Sequence, residues 1–229
     1  MKNKNFEQSV SIIIPSRNAD YLLKECIEKI RELYNEVHIV LVLDEIGENS
    51  LGGGEKNITV LKSTNPNMSA KRNQGVYSCK TEYIAFLDSD AYPCRNQLET
   101  GVAFLEENQS YSAVTGCQYN PPSDKFEQIC LRLVRFSPLF THKEWLSVTD
   151  RNVHPYDCEV LMTSNVIMRR FDYIKINGMN ENIYLAEDSE FSWRLIKNGY
   201  RIRFIPQVSV FHHECTLYPF LRKVYLPLL

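Results

Sequence analysis

Two patterns of apolar residues alternate along most of this chain: short continuous runs, and positions at helical spacing. Short, almost continuous apolar runs lie at residues 11–15, 37–43 and 83–87, and such runs are typical of strands buried on both faces of a parallel sheet. Over residues 19–34, apolar positions recur at the spacing of an amphipathic helix. Strands and helices that alternate in this order predict right-handed βαβ units, and therefore an α/β domain with a mostly parallel sheet flanked by helices.

The same alternation continues toward the C-terminus, with one interruption at residues 121–158, where aromatic and basic residues are punctuated by prolines. Asn18 is placed to cap the first helix, and Gly199 follows the last helix in the position that glycine favours. The glycine-rich segment 47–57 is interpreted as a surface loop, because no Gly-Lys-Ser/Thr follows it. The remaining predicted strands are 58–61, 111–119, 162–168, 200–205 and 207–212, and the remaining predicted helices are 66–79, 95–108, 171–176 and 187–198.

The composition excludes several classes of protein. The chain has 229 residues, 44% of them hydrophobic and 24% charged, which suits one soluble domain with a substantial core. A net charge of −2 gives no support to nucleic-acid binding. The 7 cysteines are scattered without a Cys-x-x-Cys pair, which favours a reducing compartment. With no secretory signal and no membrane-length apolar stretch in the sequence, we expect a cytoplasmic protein.

Two carboxylates follow one of the predicted buried strands. Asp88 and Asp90 flank Ser89 directly after the run at 83–87, at the carboxyl end of a strand, where open α/β sheets bind their ligands. Two acids held this close repel each other unless a cation neutralises them, and Mg²⁺ or Mn²⁺ favours carboxylate and phosphate oxygens. The triplet is thus a candidate site for a metal–diphosphate, although the same spacing also occurs in ordinary turns.

Several motifs in a fixed order resemble family 2 glycosyltransferases of the GT-A fold. The resemblance extends over about residues 10–213 and adds four segments to the Asp-x-Asp triplet. It implies a single GT-A domain over 1–229, with a nucleotide-binding half at about 8–120, an acceptor and catalytic half at about 121–213, and a C-terminal segment at 214–229. The four segments are 11–18 (SIIIPSRN), 71–75 (KRNQG), 186–188 (AED) with the helix after it, and 210–213 (VFHH).

The resemblance implies a metal site and a donor that is a nucleotide sugar. Transfer of the sugar develops charge on the leaving diphosphate, which a divalent cation neutralises as a Lewis acid. Asp90, and less directly Asp88, would hold Mn²⁺ or Mg²⁺. A histidine is a further ligand, and because adjacent strand residues point to opposite faces, we expect His212 rather than His213 to reach the metal.

The resemblance also assigns an acid pair to the acceptor. Asp188 corresponds to the general base that takes the proton of the acceptor hydroxyl, with Glu187 as a supporting contact to the acceptor. A helix start favours the ionised form of Asp188 through the helix dipole. The alternative is that both acids only serve the first turn of a helix, which is common. Trp193, at helical spacing from the pair, is predicted to be a core residue rather than a platform for a sugar.

The remaining site residues are implied to bind the nucleotide. Asp44 would contact the base, and Arg72 would offer its fork of donors to the diphosphate. Three departures from the family pattern leave the nucleotide open among UDP, GDP and TDP: Asp44 belongs to an unusual Asp-Glu-Ile-Gly-Glu loop, the glycine common before the motif at 71–75 is absent from 65–68, and Lys71 replaces alanine. The pocket floor would come from the backbone of Pro15, Ser16 and Arg17, with Asp88 and Ser89 beside the diphosphate.

The predicted function is a metal-dependent, inverting glycosyltransferase of bacterial-type polysaccharide, glycolipid or glycoconjugate synthesis. Its acceptor would be a carbohydrate or a lipid-linked molecule. Two alternatives are a nucleotidyltransferase that makes nucleotide sugars, and a non-catalytic nucleotide-binding module. The C-terminal segment 214–229 mixes apolar residues with only one basic pair, so we expect at most peripheral membrane contact.

Overall fold

The computed structural model describes residues 6–46, 56–119, 121, 157–158 and 160–213. The glycine-rich residues 47–55, most of the segment 121–158 and the C-terminal segment 214–229 lie outside the described residues, and so do the predictions made for them. The strands are β1 (Val10–Ser16), β2 (His38–Leu43), β3 (Ile58–Lys62), β4 (Tyr83–Leu87), β5 (Ala91–Pro93), β6 (Tyr111–Thr115), β7 (Gln118–Tyr119), β8 (Asn165–Arg169), β9 (Arg201–Phe204) and β10 (Val210–His212). The helices are α1 (Tyr21–Leu33), α2 (Met68–Ser78), α3 (Gln97–Glu107), α4 (Arg170–Lys175) and α5 (Glu187–Lys197).

The central sheet confirms the predicted α/β class. Its seven strands run in the order β3-β2-β1-β4-β8-β6-β9. All neighbouring pairs are parallel except those of β8, which is antiparallel to both β4 and β6. Because β8 runs the other way, its first residue, Asn165, pairs with Leu87 at the carboxyl end of β4. The loop that precedes β8 therefore lies at the same edge of the sheet as the Asp-x-Asp triplet.

A second sheet of three strands was not predicted. It has the order β5-β10-β7, and its strand β5 follows the carboxyl end of β4 directly after the Asp-x-Asp triplet. The strand predicted at 111–119 is divided into β6 and β7 around Gly116, where an added Cβ would lie only 1.9 Å from the carbonyl oxygen of Val208. This close backbone approach diverts the chain from the large sheet to the small one. The strand predicted at 207–212 is reduced to β10 and joins the small sheet.

The core occupies both faces of the central sheet. On one face, α1 and α3 pack against the strands through residues such as Ile27, Ile30 and Val102. On the other face, α2, α4 and α5 do the same through residues such as Val76, Tyr173 and Phe191. The near-continuous apolar runs of the sequence thus correspond to strands that are buried on both faces.

Of the two predicted helix ends, the one at Gly199 is confirmed and the one at Asn18 is wrong. Gly199 follows α5 with φ +82°, a left-handed conformation suited to glycine, as predicted. Asn18 does not cap α1. The helix begins at Tyr21, so Asp20 is the N-cap residue, and its Oδ1 accepts a hydrogen bond of 3.0 Å from the backbone N–H of Leu23.

A histidine links the first three strands far from the predicted site. His38 Nδ1 lies 2.9 Å from Ser11 Oγ, and its Nε2 lies 2.9 Å from Thr59 Oγ1. Burial, together with the charge of Arg31, lowers the pKa of His38 below its ordinary value of 6.5. In the unfolded chain the imidazole binds a proton more readily than in the folded protein, so acid favours unfolding through this group.

We therefore expect thermal stability to fall as the pH is lowered from 6.5 toward the depressed pKa of His38. The loss should be smaller in His38→Gln, which keeps polar atoms for the two hydroxyl groups but does not titrate. Melting temperatures of both proteins, measured between pH 5 and 8, check this. Parallel pH curves for the two proteins would contradict it.

Candidate active site

The Asp-x-Asp triplet and one histidine meet at the carboxyl edge of the central sheet. The antiparallel pairing of β10 with β5 places His212 opposite Ala91, so that its Nε2 lies 3.2 Å from Asp90 Oδ1. Asp88, Asp90 and His212 each offer one potential ligand atom, and these three atoms lie within 4.8 Å of one another. His213 is turned away, with its Nε2 3.3 Å from Glu25 Oε2.

The donor set of this cluster fits a divalent cation. Two carboxylates and an imidazole supply oxygen and nitrogen ligands, a combination that suits Mn²⁺ at least as well as Mg²⁺. Burial by itself would raise the pKa of Asp90, but the hydrogen bond and the charge of His212 outweigh it, and the pKa lies below its ordinary value. Asp90 is thus anionic at neutral pH and could serve as a metal ligand, next to a histidine whose neutral form can also bind a metal.

Arg72 connects the triplet to the acid pair. Its side chain on α2 is buried, with Nη2 2.9 Å from Asp88 Oδ1 and Nη1 3.5 Å from Glu187 Oε1. Among the described residues, Nε of Arg72 has no hydrogen-bond partner. The guanidinium therefore lies between the two groups of acids, where a diphosphate bound at the triplet would meet it.

Asp188 is held at the start of α5 by a residue that the sequence analysis missed. Thr163 donates to it twice, from Oγ1 to Asp188 Oδ1 at 2.7 Å and from the backbone N–H to Asp188 Oδ2 at 3.2 Å. Burial raises the pKa of Asp188 above its ordinary value, while the Thr163 bonds and the charge of Arg72 act in the opposite direction. Desolvation thus outweighs the stabilisation of the anion that the helix start was expected to give.

Asn67, the N-cap residue of α2, and Asn73 within the helix hold the loop that leads to the acid pair, and both were missed as site residues. Asn67 Nδ2 donates to the carbonyl oxygens of Glu181 and Ile183, at 2.8 and 3.0 Å. Asn73 Nδ2 donates to the carbonyl oxygen of Met179 at 2.9 Å, and its Oδ1 accepts from the Met179 N–H at 2.9 Å. Helix α2 and its N-cap residue therefore hold the loop at residues 179–183, and the same helix carries Arg72. The Arg-Asn sequence itself was the signal that could have indicated this.

The predicted nucleotide residues surround the ends of β1 and β2. Pro15 and Ser16 are buried at the end of β1, and the carbonyl oxygen of the exposed Arg17 accepts hydrogen bonds from the N–H groups of Asp44 and Glu45, at 3.1 and 3.0 Å. Ser89 is half-buried between the two acids of the triplet. The structure thus brings Asp44 next to the end of β1, where the floor of the nucleotide pocket was predicted.

Trp193 was predicted to be a core residue, and that prediction is wrong. Its side chain is 58% exposed, and Lys197 Nζ lies 4.6 Å from the centre of its ring. The core face of α5 is formed by Phe191 and Leu195. Trp193 lies two residues beyond Phe191, which is about 200° around the helix, so it points to the opposite side.

In the described ranges, no helix combines the length and the apolar character that a membrane crossing requires. A candidate membrane span is therefore not found in this part of the chain.

Comparison with known proteins shows the family of this chain. Residues 11–176 match the sequence model of glycosyl transferase family 2, and residues 146–215 match the model described as the N-terminal domain of galactosyltransferase. A pre-mycofactocin glycosyltransferase of Mycobacterium tuberculosis is 28% identical over 225 residues, covering 91% of this chain and 43% of that protein. An uncharacterized glycosyltransferase of Bacillus subtilis, EpsJ, is 26% identical over 216 residues, covering 90% of this chain and 61% of that protein.

Solved structures show the same fold at low sequence identity. A mannosyltransferase of Pyrobaculum calidifontis in complex with GDP-Man and Mn²⁺ superposes with a TM-score of 0.65 at 17% identity, covering 89% of this chain and 56% of that one. The S. aureus protein TarS in complex with UDP-GlcNAc gives a TM-score of 0.60 at 16% identity, covering 90% of this chain and 59% of that one. Each of these four proteins is longer than the part that this chain matches. The chain belongs to glycosyltransferase family 2 and has the GT-A fold.

Proposed function

We propose that this glycosyltransferase is metal-dependent and moves a sugar from a nucleoside-diphosphate sugar to an acceptor hydroxyl with inversion at the anomeric carbon. The observation that carries the proposal is the cluster of Asp88, Asp90 and His212 at the sheet edge, joined through Arg72 to the acid pair. A site of this composition can hold a metal–diphosphate on one side and accept a proton on the other.

On the donor side, Asp90 and His212 would hold Mn²⁺ or Mg²⁺, with Asp88 as the less direct ligand because one of its oxygens already accepts from Arg72. When bound, the cation supplies positive charge for the leaving diphosphate. Arg72 adds a second positive group, and its fork of N–H donors can pair with phosphate oxygens as it now pairs with carboxylates.

On the acceptor side, Asp188 would take the proton of the attacking hydroxyl, and Glu187 would contact the acceptor. A raised pKa makes the ionised Asp188 a stronger base than an ordinary aspartate, and Thr163 fixes the direction of its carboxylate. An acceptor oxygen that attacks opposite the leaving diphosphate inverts the anomeric configuration in a single displacement. This geometry is the basis for the proposed inversion.

The partners and the compartment follow from the same features. The GDP-Man and UDP-GlcNAc complexes of the two structural neighbours support a nucleoside-diphosphate donor, with the base left to experiment. We propose a carbohydrate or lipid-linked acceptor, in bacterial-type polysaccharide, glycolipid or glycoconjugate synthesis. Among the described cysteines, Cys26, Cys79, Cys94 and Cys117 carry free thiols, which supports the reducing cytoplasm as the site of action.

The test is a panel of UDP-, GDP- and TDP-sugars incubated with the purified chain and Mn²⁺. We expect at least one donor to release its nucleoside diphosphate, and EDTA to stop the release. Pyrophosphate release from a nucleoside triphosphate and a sugar phosphate, with no turnover of any nucleotide sugar, would instead show a nucleotidyltransferase. Binding of nucleotides without either reaction would indicate a non-catalytic module.

A further inference from the structure

Lys71, which replaces the alanine of the family pattern, is fully buried beneath the nucleotide site. Its side chain has an exposed fraction of 0%, although it lies on α2 only one residue before Arg72. Its Nζ donates to the carbonyl oxygen of Ser16 at 2.9 Å and to Asp44 Oδ2 at 2.7 Å. Lys71 thus joins the carboxyl ends of β1 and β2, which is where the predicted base-contacting residues lie.

This ion pair leaves the two oxygens of Asp44 in different states. Oδ2 is occupied by Lys71, whereas Oδ1 is shielded from solvent and has no hydrogen-bond donor among the described residues. A carboxylate oxygen shielded from water without a donor is unfavourable, so a ligand that brings an N–H group would be stabilised here. The side chain of Asp44 is 26% exposed, so a turn of the carboxylate is expected to present Oδ1 to the pocket while Lys71 keeps Oδ2.

We propose that Lys71 is a specificity residue of the nucleotide site, because it occupies one oxygen of Asp44 and leaves the other as a single acceptor for the N–H of a uracil or thymine base. This inference rests on the proposed function and adds the class of nucleotide to it. Uracil and thymine have one ring N–H between two carbonyl oxygens, so one carboxylate oxygen is sufficient for the N–H. The buried ammonium group of Lys71 stays bonded to Oδ2 and to the Ser16 carbonyl oxygen, so the base N–H meets only Oδ1.

Guanine is disfavoured by the same arrangement. It presents two adjacent donors, its ring N–H and its amino group, which a free carboxylate would bind with both oxygens. Here the bond of Lys71 to Oδ2 leaves only one oxygen for these two donors. A donor left without a partner in a desolvated pocket costs affinity, and specificity is the difference between the two binding free energies.

The test compares the binding of UDP and GDP, with Mn²⁺ present, by isothermal titration calorimetry. For the native protein we expect UDP to bind at least about tenfold more tightly than GDP. In Lys71→Met, both oxygens of Asp44 are free of the lysine, and we expect this ratio to fall by about tenfold. Lys71→Arg, which keeps the charge and the donors, should restore most of the preference. Lys71→Gln is the second uncharged variant in case the methionine protein does not fold.

Two controls separate base selection from general structural support. Inorganic pyrophosphate with Mn²⁺ has no base, so its affinity should be the same in the native protein and in the folded Lys71 variants. Lys80→Met removes an exposed lysine just beyond the same helix and should leave the UDP/GDP ratio unchanged. A change in the ratio without a change in pyrophosphate affinity is a result that a merely structural lysine would not give.

The outcomes distinguish this inference from the function on which it rests. A UDP/GDP ratio that stays the same in the folded uncharged variants, or a native preference for GDP, overturns the role of Lys71 and leaves the proposed function standing. Failure of the native protein to bind any nucleoside diphosphate with Mn²⁺ overturns both.

Discussion

Asp90→Ala is expected to weaken Mn²⁺-dependent binding of a nucleoside diphosphate by at least about 100-fold while the protein remains folded. Asp90 is the acid of the cluster whose carboxylate lies beside the imidazole of His212, at 3.2 Å. Its removal takes away a charged ligand and leaves His212 without the group that orients it. Calorimetric titration of the diphosphate, with and without Mn²⁺, measures the effect.

The matched control for this variant is Asp157→Ala. Asp157 is an aspartate of the same charge that pairs with Arg201, 2.9 Å away, outside the candidate site. Its loss should leave metal-dependent binding unchanged. That result would exclude the change of net charge as the cause of weaker binding by Asp90→Ala. Undiminished binding by Asp90→Ala would show that the Asp-x-Asp triplet is not the metal site.

Asp188→Asn is expected to retain affinity for the donor and to lose about 10²–10⁴-fold in the rate of sugar transfer. The amide has nearly the same shape and can still accept a hydrogen bond from Thr163 Oγ1, but it cannot take the proton of the acceptor. Burial disfavours the charged carboxylate at this position, which reduces the expected structural cost of the neutral amide. The transfer rate at saturating donor, together with the affinity for the nucleoside diphosphate, gives the comparison.

Glu190→Gln is a suitable control, because Glu190 lies in the same turn of α5 but binds Arg194 at 2.6 Å instead of facing Thr163. Near-normal turnover by Asp188→Asn would assign the base to another group.

The pH dependence of the transfer rate provides a second measurement. Because burial raises the pKa of Asp188, the acid limb of the rate should lie above the ordinary value of 3.8, and activity should fall as the pH drops through the raised pKa. This limb should be missing from the residual activity of Asp188→Asn.

The sequence alone determined the central sheet and the residues at its carboxyl edge. The apolar runs that became β1, β2 and β4 are buried along nearly their whole length, so their ends, and with them Asp44 and Asp88, could be located from the pattern. Carboxyl ends of parallel strands lie at one edge of a sheet, which is why the local pattern was enough to place both acids at the same edge. The expectation that His212 rather than His213 faces the triplet rested on the alternation of side chains along a strand, and the structure places His212 beside Asp90.

Only the tertiary structure decided which distant groups contact these acids. Thr163 meets Asp188 because β8 is antiparallel to β4, and Lys71 meets Asp44 because α2 packs across the ends of β1 and β2. The exposure of Trp193 likewise depends on which face of α5 the sheet covers. The spacing of apolar residues along the chain indicates the local conformation of each element and which of its faces is buried. The direction of a strand and the partner of a polar side chain depend instead on packing between segments far apart in the chain, which no local pattern encodes.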